Sequence, residues 1–263
     1  METSITLNTG YPMPRLGLGT WDLRGNTCVN SAKFALENGY RHIDTATMYS
    51  NETEVGKVLG EFLKNSSASR DEVFITTKIW TSDLGVSKSQ SAINQSLKNL
   101  NLDYIDLHLI HWPGSSKQAR LESYGVLLKN MQERKIRSIG VSNFSISQIE
   151  EVISQYGDIP SVNQFRLNPY DYDLELVDYC QKKGIVVTAY SPLNKGRQLK
   201  NVSLSKIATT HSKTEAQILL RWGIQHDFVV IPKSSNNERL IENSRIFDFT
   251  LSSEEMQILD YLS

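Results

Sequence analysis

The sequence predicts a (β/α)8 barrel of the TIM type, with an N-terminal β-hairpin and additional helices outside the barrel repeat. Three observations lead to this fold class. The chain has 263 residues, and barrels of this kind commonly form one domain of about 250 residues. Eight short apolar or β-branched runs recur along it, and amphipathic helical stretches alternate with them. Strands joined by helical crossovers pair in parallel, so we expect residues 1–263 to form a single α/β barrel domain.

The predicted elements follow from this alternation. The strands are Leu16–Gly19, Arg41–Asp44, Val73–Lys78, Tyr104–Ile110, Ser138–Ser142, Ser161–Phe165, Val186–Tyr190 and Val229–Pro232. The helices between them include Thr27–Asn38, Glu52–Lys64, Ser87–Leu100, Leu121–Arg134, Ser147–Tyr156 and Leu174–Lys183. Two helical patterns between Tyr190 and Val229 predict one extra helix there, and Ser252–Leu262 predicts a last helix outside the repeat. The leading TSITLNTGYPMPR predicts the hairpin, with its turn at Asn8–Gly10.

Local signals mark three of the predicted helix ends. Ser87 and Ser145 each precede an amphipathic stretch, and serine is a residue type that caps a helix N-terminus. Gly184 follows the sixth predicted helix, where glycine adopts a left-handed turn at little cost. These residues predict where the third and fifth helices begin and where the sixth ends.

The composition excludes several classes of function. With 28 basic and 29 acidic residues the net charge is −1, so we expect no nucleic-acid partner. The N-terminus lacks a basic stretch followed by an apolar run, and no apolar run approaches the roughly 18 residues of a membrane span, so we expect neither export nor a membrane partner. Cys28 and Cys180 form no CxxC pair. We therefore expect free thiols in the cytoplasm and no metal site. Because the exposed helices of such barrels often leave the chain monomeric, we also expect a monomer.

Four chemically useful side chains lie at three neighbouring strand ends. Asp44 ends the second predicted strand, and Tyr49 lies in the loop after it. Lys78 ends the third strand, and His111 follows the fourth. Each residue taken alone has a simpler structural interpretation. Asp44 would cap the next turn, Tyr49 would be a half-buried loop aromatic, Lys78 would be solvated, and His111 would be a packed turn residue. Because the active sites of such barrels lie at the carboxyl ends of the strands, the four together favour a catalytic function.

The chemistry of these residues suits the protonation of an alkoxide formed by hydride addition. A tyrosine has a pKa near 10, which is too high for an efficient acid at neutral pH. We expect Lys78, held charged by Asp44, to lower the pKa of Tyr49 and make it a proton donor. A neutral His111 would hydrogen-bond a substrate oxygen and orient it. The set offers no obvious nucleophile for acyl transfer.

A cofactor must supply the hydride, because no side chain does so. The chain has no G-x-G-x-x-G motif, and Gly17-x-Gly19 is only a fragment of one. Barrels often bind phosphate in the loops after strands seven and eight. Those loops, residues 191–197 and 233–236, combine hydroxyls, backbone amides and cations. They are therefore the predicted site of a phosphate-bearing cofactor.

Three side chains beside these loops suit a cofactor that has a flat ring and an extra phosphate. Tyr190 closes the seventh strand and is placed to stack on a flat ring. Lys233 and Arg239 are placed to grip the extra phosphate. A solvated helix start explains the same basic cluster about equally well when the cluster is taken alone.

A metal-dependent barrel hydrolase is an alternative function. His42 and Asp44 share a strand face and spell His-x-Asp, which could begin a metal site. His111 is a further ligand, but the other strand ends offer a poor ligand set, namely Gly19, Ser142 and Gln164. His108 lies three residues before His111, so it points to the opposite strand face and is assigned to packing against the helices.

Four long segments carry a resemblance to a known family. They are GYRHIDTATMYSNETEVG at Gly39–Gly56, LDYIDLHLIHWP ending at Pro113, GVSNFS beginning at Gly140, and IPKSSNNERLIEN at Ile231–Asn243. With these segments the chain resembles the aldo-keto reductases from end to end. The resemblance implies the barrel fold and the NADPH-dependent reduction of aldehydes or ketones to alcohols, with a small-molecule carbonyl compound as substrate.

The resemblance also assigns roles to individual residues. It implies a catalytic tetrad, with Tyr49 as the acid, of Asp44, Tyr49, Lys78 and His111. It implies cofactor contacts at Gly19, Thr20, Trp21, Asp44, Ser142, Asn143, Gln164, Tyr190, Ser191, Pro192, Leu193, Ile231, Pro232, Lys233, Ser234, Ser235, Arg239, Glu242 and Asn243. Within that set, the nicotinamide amide would be held by Ser142, Asn143 and Gln164. Substrate contacts are implied at Trp21, Tyr49, Trp80, His111 and Trp112.

One segment departs from the family pattern. After Gln164 the family usually has an acidic residue and then an aromatic-His-Pro-Tyr run, whereas this chain reads Phe165-Arg166-Leu167-Asn168-Pro169-Tyr170. The roles of Arg166 and Asn168 are therefore open. The short loop after His111 resembles the compact members of the family, such as diketo-gluconate reductases and prostaglandin F synthases. A barrel that binds NADPH without catalysis is a second alternative function, against which the complete tetrad speaks.

Overall fold

The β-structure consists of an antiparallel hairpin and eight parallel strands, described for residues 3–262 in a computed structural model. The hairpin strands are β1 (Ser4–Thr6) and β2 (Pro12–Pro14). The parallel strands, adjacent in chain order, are β3 (Leu18–Gly19), β4 (His42–Asp44), β5 (Phe74–Ile79), β6 (Ile105–Ile110), β7 (Ile136–Ser142), β8 (Val162–Arg166), β9 (Val186–Tyr190) and β10 (Val229–Val230). The predicted hairpin and barrel are confirmed, although β3 and β10 are shorter than predicted.

Backbone hydrogen bonds join the first and last parallel strands along a seam that closes the barrel. The Gly17 amide donates to the Val230 carbonyl at 2.9 Å, and the Gly19 amide donates to the Pro232 carbonyl at 3.1 Å. The Val230 amide in turn donates to the Arg15 carbonyl at 2.8 Å. Closure brings the carboxyl ends of all eight strands to one mouth.

The two glycines of the Gly-x-Gly fragment lie on this seam, where there is no room for a side chain. A Cβ atom at Gly19 would lie 2.7 Å from the Ile231 carbonyl oxygen. A Cβ atom at Gly17 would lie 2.5 Å from Nδ1 of His42. Both distances are too short for non-bonded atoms, so the fragment has a structural cause in barrel closure.

Ten α-helices accompany the strands within residues 3–262. They are α1 (Gly25–Glu37), α2 (Glu52–Asn65), α3 (Val86–Leu100), α4 (Lys117–Gln132), α5 (Ile146–Tyr156), α6 (Leu174–Lys182), α7 (Val202–His211), α8 (Glu215–Gln225), α9 (Asn237–Ser244) and α10 (Ser253–Asp260). The extra helix before the last strand and the last helix are present as predicted. α9 was not predicted, because Leu240 and Ile241 alone interrupt its polar sequence. None of these helices is long and apolar enough to cross a membrane.

Two of the three predicted helix ends are as expected. Ser145 caps α5 and forms a reciprocal pair of hydrogen bonds with Gln148, and Gly184 after α6 has a φ of 71°. The prediction that Ser87 caps α3 is wrong. The chain turns at Gly85, whose φ is 106°, so the helix begins at Val86 and Ser87 already lies inside it.

Apolar side chains pack in two layers, one inside the barrel and one between strands and helices. The inner layer contains Leu7, Met13, Phe74, Leu107, Leu109, Val162, Val186, Val229 and Ile231. His108 lies between two of these residues on β6, so its buried side chain leaves the opposite face, as predicted. Cys28 and Cys180 are buried free thiols of the outer layer.

Buried histidines, His42 and His108 among them, make the stability of the barrel depend on pH. Burial lowers the pKa of His42 to about 4 and that of His108 to about 3, whereas an unfolded histidine titrates near 6.5. Below about pH 6.5 the unfolded chain binds protons that the folded chain does not. The free energy of unfolding should therefore fall by about 1.4 kcal/mol per pH unit for each imidazole, as urea unfolding between about pH 7 and about pH 5 can measure.

A single substitution isolates this effect. Both ring nitrogens of His108 are buried without a hydrogen-bond partner, so His108→Leu removes the titrating group and leaves no new unpaired atom. The variant should lose stability less steeply than the wild-type protein as the pH falls. Equal slopes would show that His108 does not carry the effect.

Candidate active site

A buried ion pair lies at the centre of the mouth. Nζ of Lys78 on β5 lies 2.6 Å from Oδ1 of Asp44 on β4, and the two side chains are 0% and 2% exposed. The same ammonium donates to the Thr45 carbonyl at 2.9 Å. The second carboxylate oxygen accepts a hydrogen bond from Nε2 of Gln164 on β8 at 2.8 Å. Three strands therefore hold the pair in a defined position.

Tyr49 reaches this pair from a short helical turn, residues Thr47–Tyr49, that follows β4. Its hydroxyl lies 3.5 Å from Nζ of Lys78, and the ammonium lies 5.0 Å from the centre of the phenol ring. The hydroxyl of Thr47 donates to the Lys78 carbonyl at 3.0 Å, which ties the turn to β5. The tyrosine hydroxyl and the ammonium thus share one polar pocket.

Burial, more than charge, sets the protonation of this pocket. Burial raises the pKa of Tyr49 well above 10, and the neighbouring Asp44 carboxylate adds to the effect. Burial also lowers the pKa of Lys78, although Asp44 opposes that shift. The expectation that Lys78 lowers the pKa of Tyr49 is wrong for this geometry, because desolvation penalises the phenolate and the Asp44 carboxylate repels it. Tyr49 is therefore protonated at neutral pH.

His111 follows β6 and packs against two aromatic rings. Its ring meets Tyr49 edge-on at 5.6 Å and Trp80 edge-on at 4.9 Å between centroids. The side chain is buried, and Nδ1 has no hydrogen-bond partner. Burial, assisted by the charge of Lys78, lowers the pKa of His111 to about 2. The imidazole is therefore neutral at physiological pH.

A second polar network joins the ends of β6 to β9 through Asn143, which has a φ of 60°. Its side-chain amide donates to the His111 carbonyl and to the Ser142 hydroxyl, both at 3.0 Å. Its oxygen accepts a hydrogen bond from the hydroxyl of Tyr190 at 2.9 Å, and its backbone amide donates to the Gln164 carbonyl. The structure thus brings together the residues predicted to hold the nicotinamide.

The three predicted substrate tryptophans follow β3, β5 and β6 at the same mouth. Trp80 is half-buried against His111, whereas Trp21 and Trp112 are 49% and 42% exposed. Nζ of Lys195, in the loop after β9, lies 5.2 Å from the centre of the Trp21 ring. The mouth therefore has an aromatic wall, one part of which faces the loop after β9.

The predicted phosphate-binding residues lie before and at the start of α9. Lys233, Ser235 and Arg239 are exposed. Ser234 is buried and exchanges hydrogen bonds with the backbone of Asn236, whose side chain caps the helix. Three exposed polar groups thus surround a helix N-terminus, which carries unpaired amides and favours anions.

The other predicted cofactor residues are partly engaged within the fold. Thr20 is buried, and its hydroxyl donates to the Asp44 carbonyl at 2.9 Å. Glu242 accepts a hydrogen bond from Thr214 at 2.7 Å, and Asn243 is buried. Ile231 and Pro232 are buried on the seam beside Gly19, and Pro192 is buried after β9, whereas Ser191 and Leu193 are partly exposed. These residues are adjacent to the mouth, but several already have structural contacts.

Asp44 and His42, which the metal-site alternative would use as ligands, form hydrogen bonds to other residues. Both oxygens of Asp44 accept hydrogen bonds, from Lys78 and Gln164. Nε2 of His42 lies 3.0 Å from the hydroxyl of Thr76. Among residues 3–262, no three His, Cys, Asp or Glu side chains converge as a metal ion would require.

Asn51 is a positioning residue that the sequence analysis did not identify. Its side chain is fully buried, accepts from the Thr45 hydroxyl at 2.6 Å and donates to the Thr20 and Leu23 carbonyls at 2.9 Å. It thereby joins the loops after β3 and β4 two residues from Tyr49. An asparagine before a helix usually signals a cap, but this side chain makes no capping bond.

Replacement of Asn51 by alanine should destabilise the protein. Asn51→Ala removes the partner of the Thr45 hydroxyl, the side-chain bond to the Leu23 carbonyl and one of the two hydrogen bonds of the Thr20 carbonyl, which keeps the Leu23 amide. We therefore expect a loss of about 2–4 kcal/mol in the free energy of unfolding. Urea unfolding would measure it against Asn94→Ala, which changes an exposed helical amide and should have little effect. Similar losses in the two variants would contradict a special role of Asn51.

Comparison with known proteins places the chain in a family. The model of the aldo/keto reductase family matches residues 15–263. Glyoxal reductase of Bacillus subtilis strain 168 is 44% identical over 100% of this chain and 94% of its own, and a 9,11-endoperoxide prostaglandin H2 reductase of Trypanosoma cruzi strain CL Brener is 43% identical over 98% and 91%. A crystal structure of an aldo/keto reductase from Brucella melitensis superimposes with a TM-score of 0.93 at 41% identity, covering 98% of both chains. The chain belongs to the aldo/keto reductase family and is an oxidoreductase.

Proposed function

We propose that the protein reduces aldehydes or ketones to alcohols with NADPH, and that Tyr49 donates the proton. The observation that carries this proposal is the position of the Tyr49 hydroxyl, 3.5 Å from Nζ of Lys78 and edge-on to His111 in one buried pocket. The names of the two relatives, a glyoxal reductase and a prostaglandin H2 reductase, support a reduction of small oxygenated substrates. The protein acts as a one-domain monomer in the cytoplasm.

The protonation states found in the pocket suit this reaction. The nicotinamide, when bound, supplies the hydride to the carbonyl carbon. The substrate oxygen then becomes a stronger base than a phenolate, so Tyr49 transfers its proton even though burial raises its pKa. The ammonium of Lys78 stabilises the phenolate that remains, and Asp44 keeps that ammonium in place. A neutral His111 donates a hydrogen bond to the substrate oxygen and orients it.

The residues around the mouth fit NADPH. Tyr190 is half-exposed at the end of β9 and offers a ring face for the nicotinamide. The exposed cations Lys233 and Arg239 flank the N-terminus of α9, where an additional phosphate would find both charge and backbone amides. The loop 232–237 contains no carboxylate that would repel that phosphate. This arrangement favours NADPH over NADH.

Removal of the transferable proton should abolish most of the activity. Tyr49→Phe keeps the ring and its packing, so we expect kcat for NADPH-dependent aldehyde reduction to fall by at least about 100-fold while the Kd for NADPH stays the same. Tyr261→Phe is the matched control, because Tyr261 is 80% exposed at the C-terminal end of the last helix. A kcat of the Tyr49 variant close to that of wild type would exclude Tyr49 as the acid.

Loss of Arg239 should change the choice of cofactor. Only NADPH carries the phosphate that a guanidinium can bind, so Arg239→Ala should raise the Kd of NADPH roughly tenfold or more and leave that of NADH nearly unchanged. Lys206→Ala, which removes an exposed cation from α7, serves as the control. Fluorescence titration with both nucleotides measures the ratio, and an equal effect on both would refute the assignment.

A further inference from the structure

Side chains of residues 165–170, the segment that departs from the family pattern, form contacts with a neighbouring loop that the sequence does not predict. Arg166 lies two residues after Gln164 on β8, so its side chain leaves the same face of the strand, at the mouth. Its Nη2 donates to Oδ1 of Asn194, in the loop after β9, at 2.9 Å. Its Nε lies 2.9 Å from the carboxylate of Asp171. One guanidinium therefore joins the loops that follow β8 and β9.

Asn168 and Tyr170, which follow Arg166 at intervals of two residues, also contact the loop after β9. The side-chain amide of Asn168 donates to the Ser191 carbonyl at 3.3 Å. The hydroxyl of Tyr170 donates to the Gln198 carbonyl at 3.1 Å. We call Arg166, Asn168 and Tyr170 the brace. Its members contact the beginning, the middle and the end of the loop from Ser191 to Gln198.

This loop has a backbone conformation that needs external support. Ser191, Asn194 and Lys195 have φ values of 51°, 44° and 55°. A left-handed conformation costs a residue with a side chain on the order of 1 kcal/mol or more, and it persists where surrounding contacts hold it. Two of the three residues are contacted directly by the brace. The third, Lys195, lies over the ring of Trp21 on the other side.

The position of the loop connects the brace to the proposed cofactor. The loop starts directly after Tyr190 and contains Ser191 and Leu193, which the family resemblance assigns to the dinucleotide. Tyr190 also pairs with Arg166 in the strand register. A change in the conformation of the loop would therefore move the groups that hold the cofactor, although no member of the brace needs to touch it.

We propose that Arg166, Asn168 and Tyr170 are positioning residues that hold the loop Ser191–Gln198 in its binding conformation and thereby slow the release of the dinucleotide. The proposal rests on the proposed use of NADPH. The contacts of the brace exist in the protein without cofactor. The effect of the brace on the loop and its effect on cofactor release can therefore be tested separately.

The first experiment measures amide hydrogen exchange of the cofactor-free protein by mass spectrometry. The variants are Arg166→Gln, Asn194→Ala and the double substitution, each checked for folding by thermal unfolding. We expect exchange in residues 191–198 to be at least about fivefold faster in each variant, because each loses the hydrogen bond between Arg166 and Asn194. Arg166→Gln also loses the Asp171 ion pair, and Asn194→Ala also loses the bond to Gln198. The double variant should fall short of the sum of the two single effects, because the shared contact is lost only once.

The matched control is Lys183→Gln. Lys183 forms a 2.9 Å ion pair with Glu150, and its side chain is 37% exposed, compared with 46% for Arg166. This variant loses an ion pair of similar length and exposure that lies away from the mouth. Its exchange in residues 191–198 should equal that of the wild type. Unchanged exchange in Arg166→Gln, or an equal change in the control, would overturn the brace.

The second experiment measures the release of NADPH by stopped-flow fluorescence. The release rate constant should rise about fivefold in Arg166→Gln and in Asn194→Ala, and stay at the wild-type value in Lys183→Gln. Faster exchange with unchanged release would overturn the link between the brace and cofactor retention. If the wild-type protein does not bind NADPH, the proposed function fails and the proposed link to release fails with it, while the exchange experiment still decides whether the brace exists.

Discussion

The buried ion pair between Lys78 and Asp44 is the interaction on which the rest of the candidate site depends. Two charges withdrawn from water are stable only with good geometry and further hydrogen bonds, and breaking such a pair commonly costs about 3–5 kcal/mol. Here Thr45 and Gln164 supply those bonds. Lys78 and Asp44 lie on the neighbouring strands β5 and β4, whereas Gln164 lies on β8, four strands away from β4 in the sheet. The full set of bonds to the pair therefore requires the curvature of the barrel.

The same burial decides which groups carry protons. Desolvation disfavours both the Tyr49 phenolate and the charged form of His111, so Tyr49 keeps its proton and His111 stays neutral. A protonated tyrosine and a neutral imidazole thus lie side by side. In the proposed reaction, the ammonium of Lys78 acts mainly after proton transfer, when it faces a phenolate instead of a phenol.

Polar side chains hold the loops at the mouth in place, beyond the ends of the strands. Asn51 fixes the loops after β3 and β4 beside the tyrosine, and the brace fixes the loop after β9. Loops at the mouth lack the repeating backbone ladder of the strands, so individual side chains must satisfy and hold their carbonyls. Side-chain contacts of this kind hold two of the loops that would meet substrate and cofactor.

The sequence by itself determined the barrel, the side of β6 on which His108 lies, and the three strand ends that carry Asp44, Lys78 and His111. These features depend on periodicity and on position along a strand, which are local properties. Only the tertiary structure decided the direction of the Tyr49 pKa shift, the role of Asn51, the true start of α3 and the partners of Arg166. Each of these depends on burial or on contacts between residues far apart in the chain. Such burial and contacts exist only after the barrel has closed.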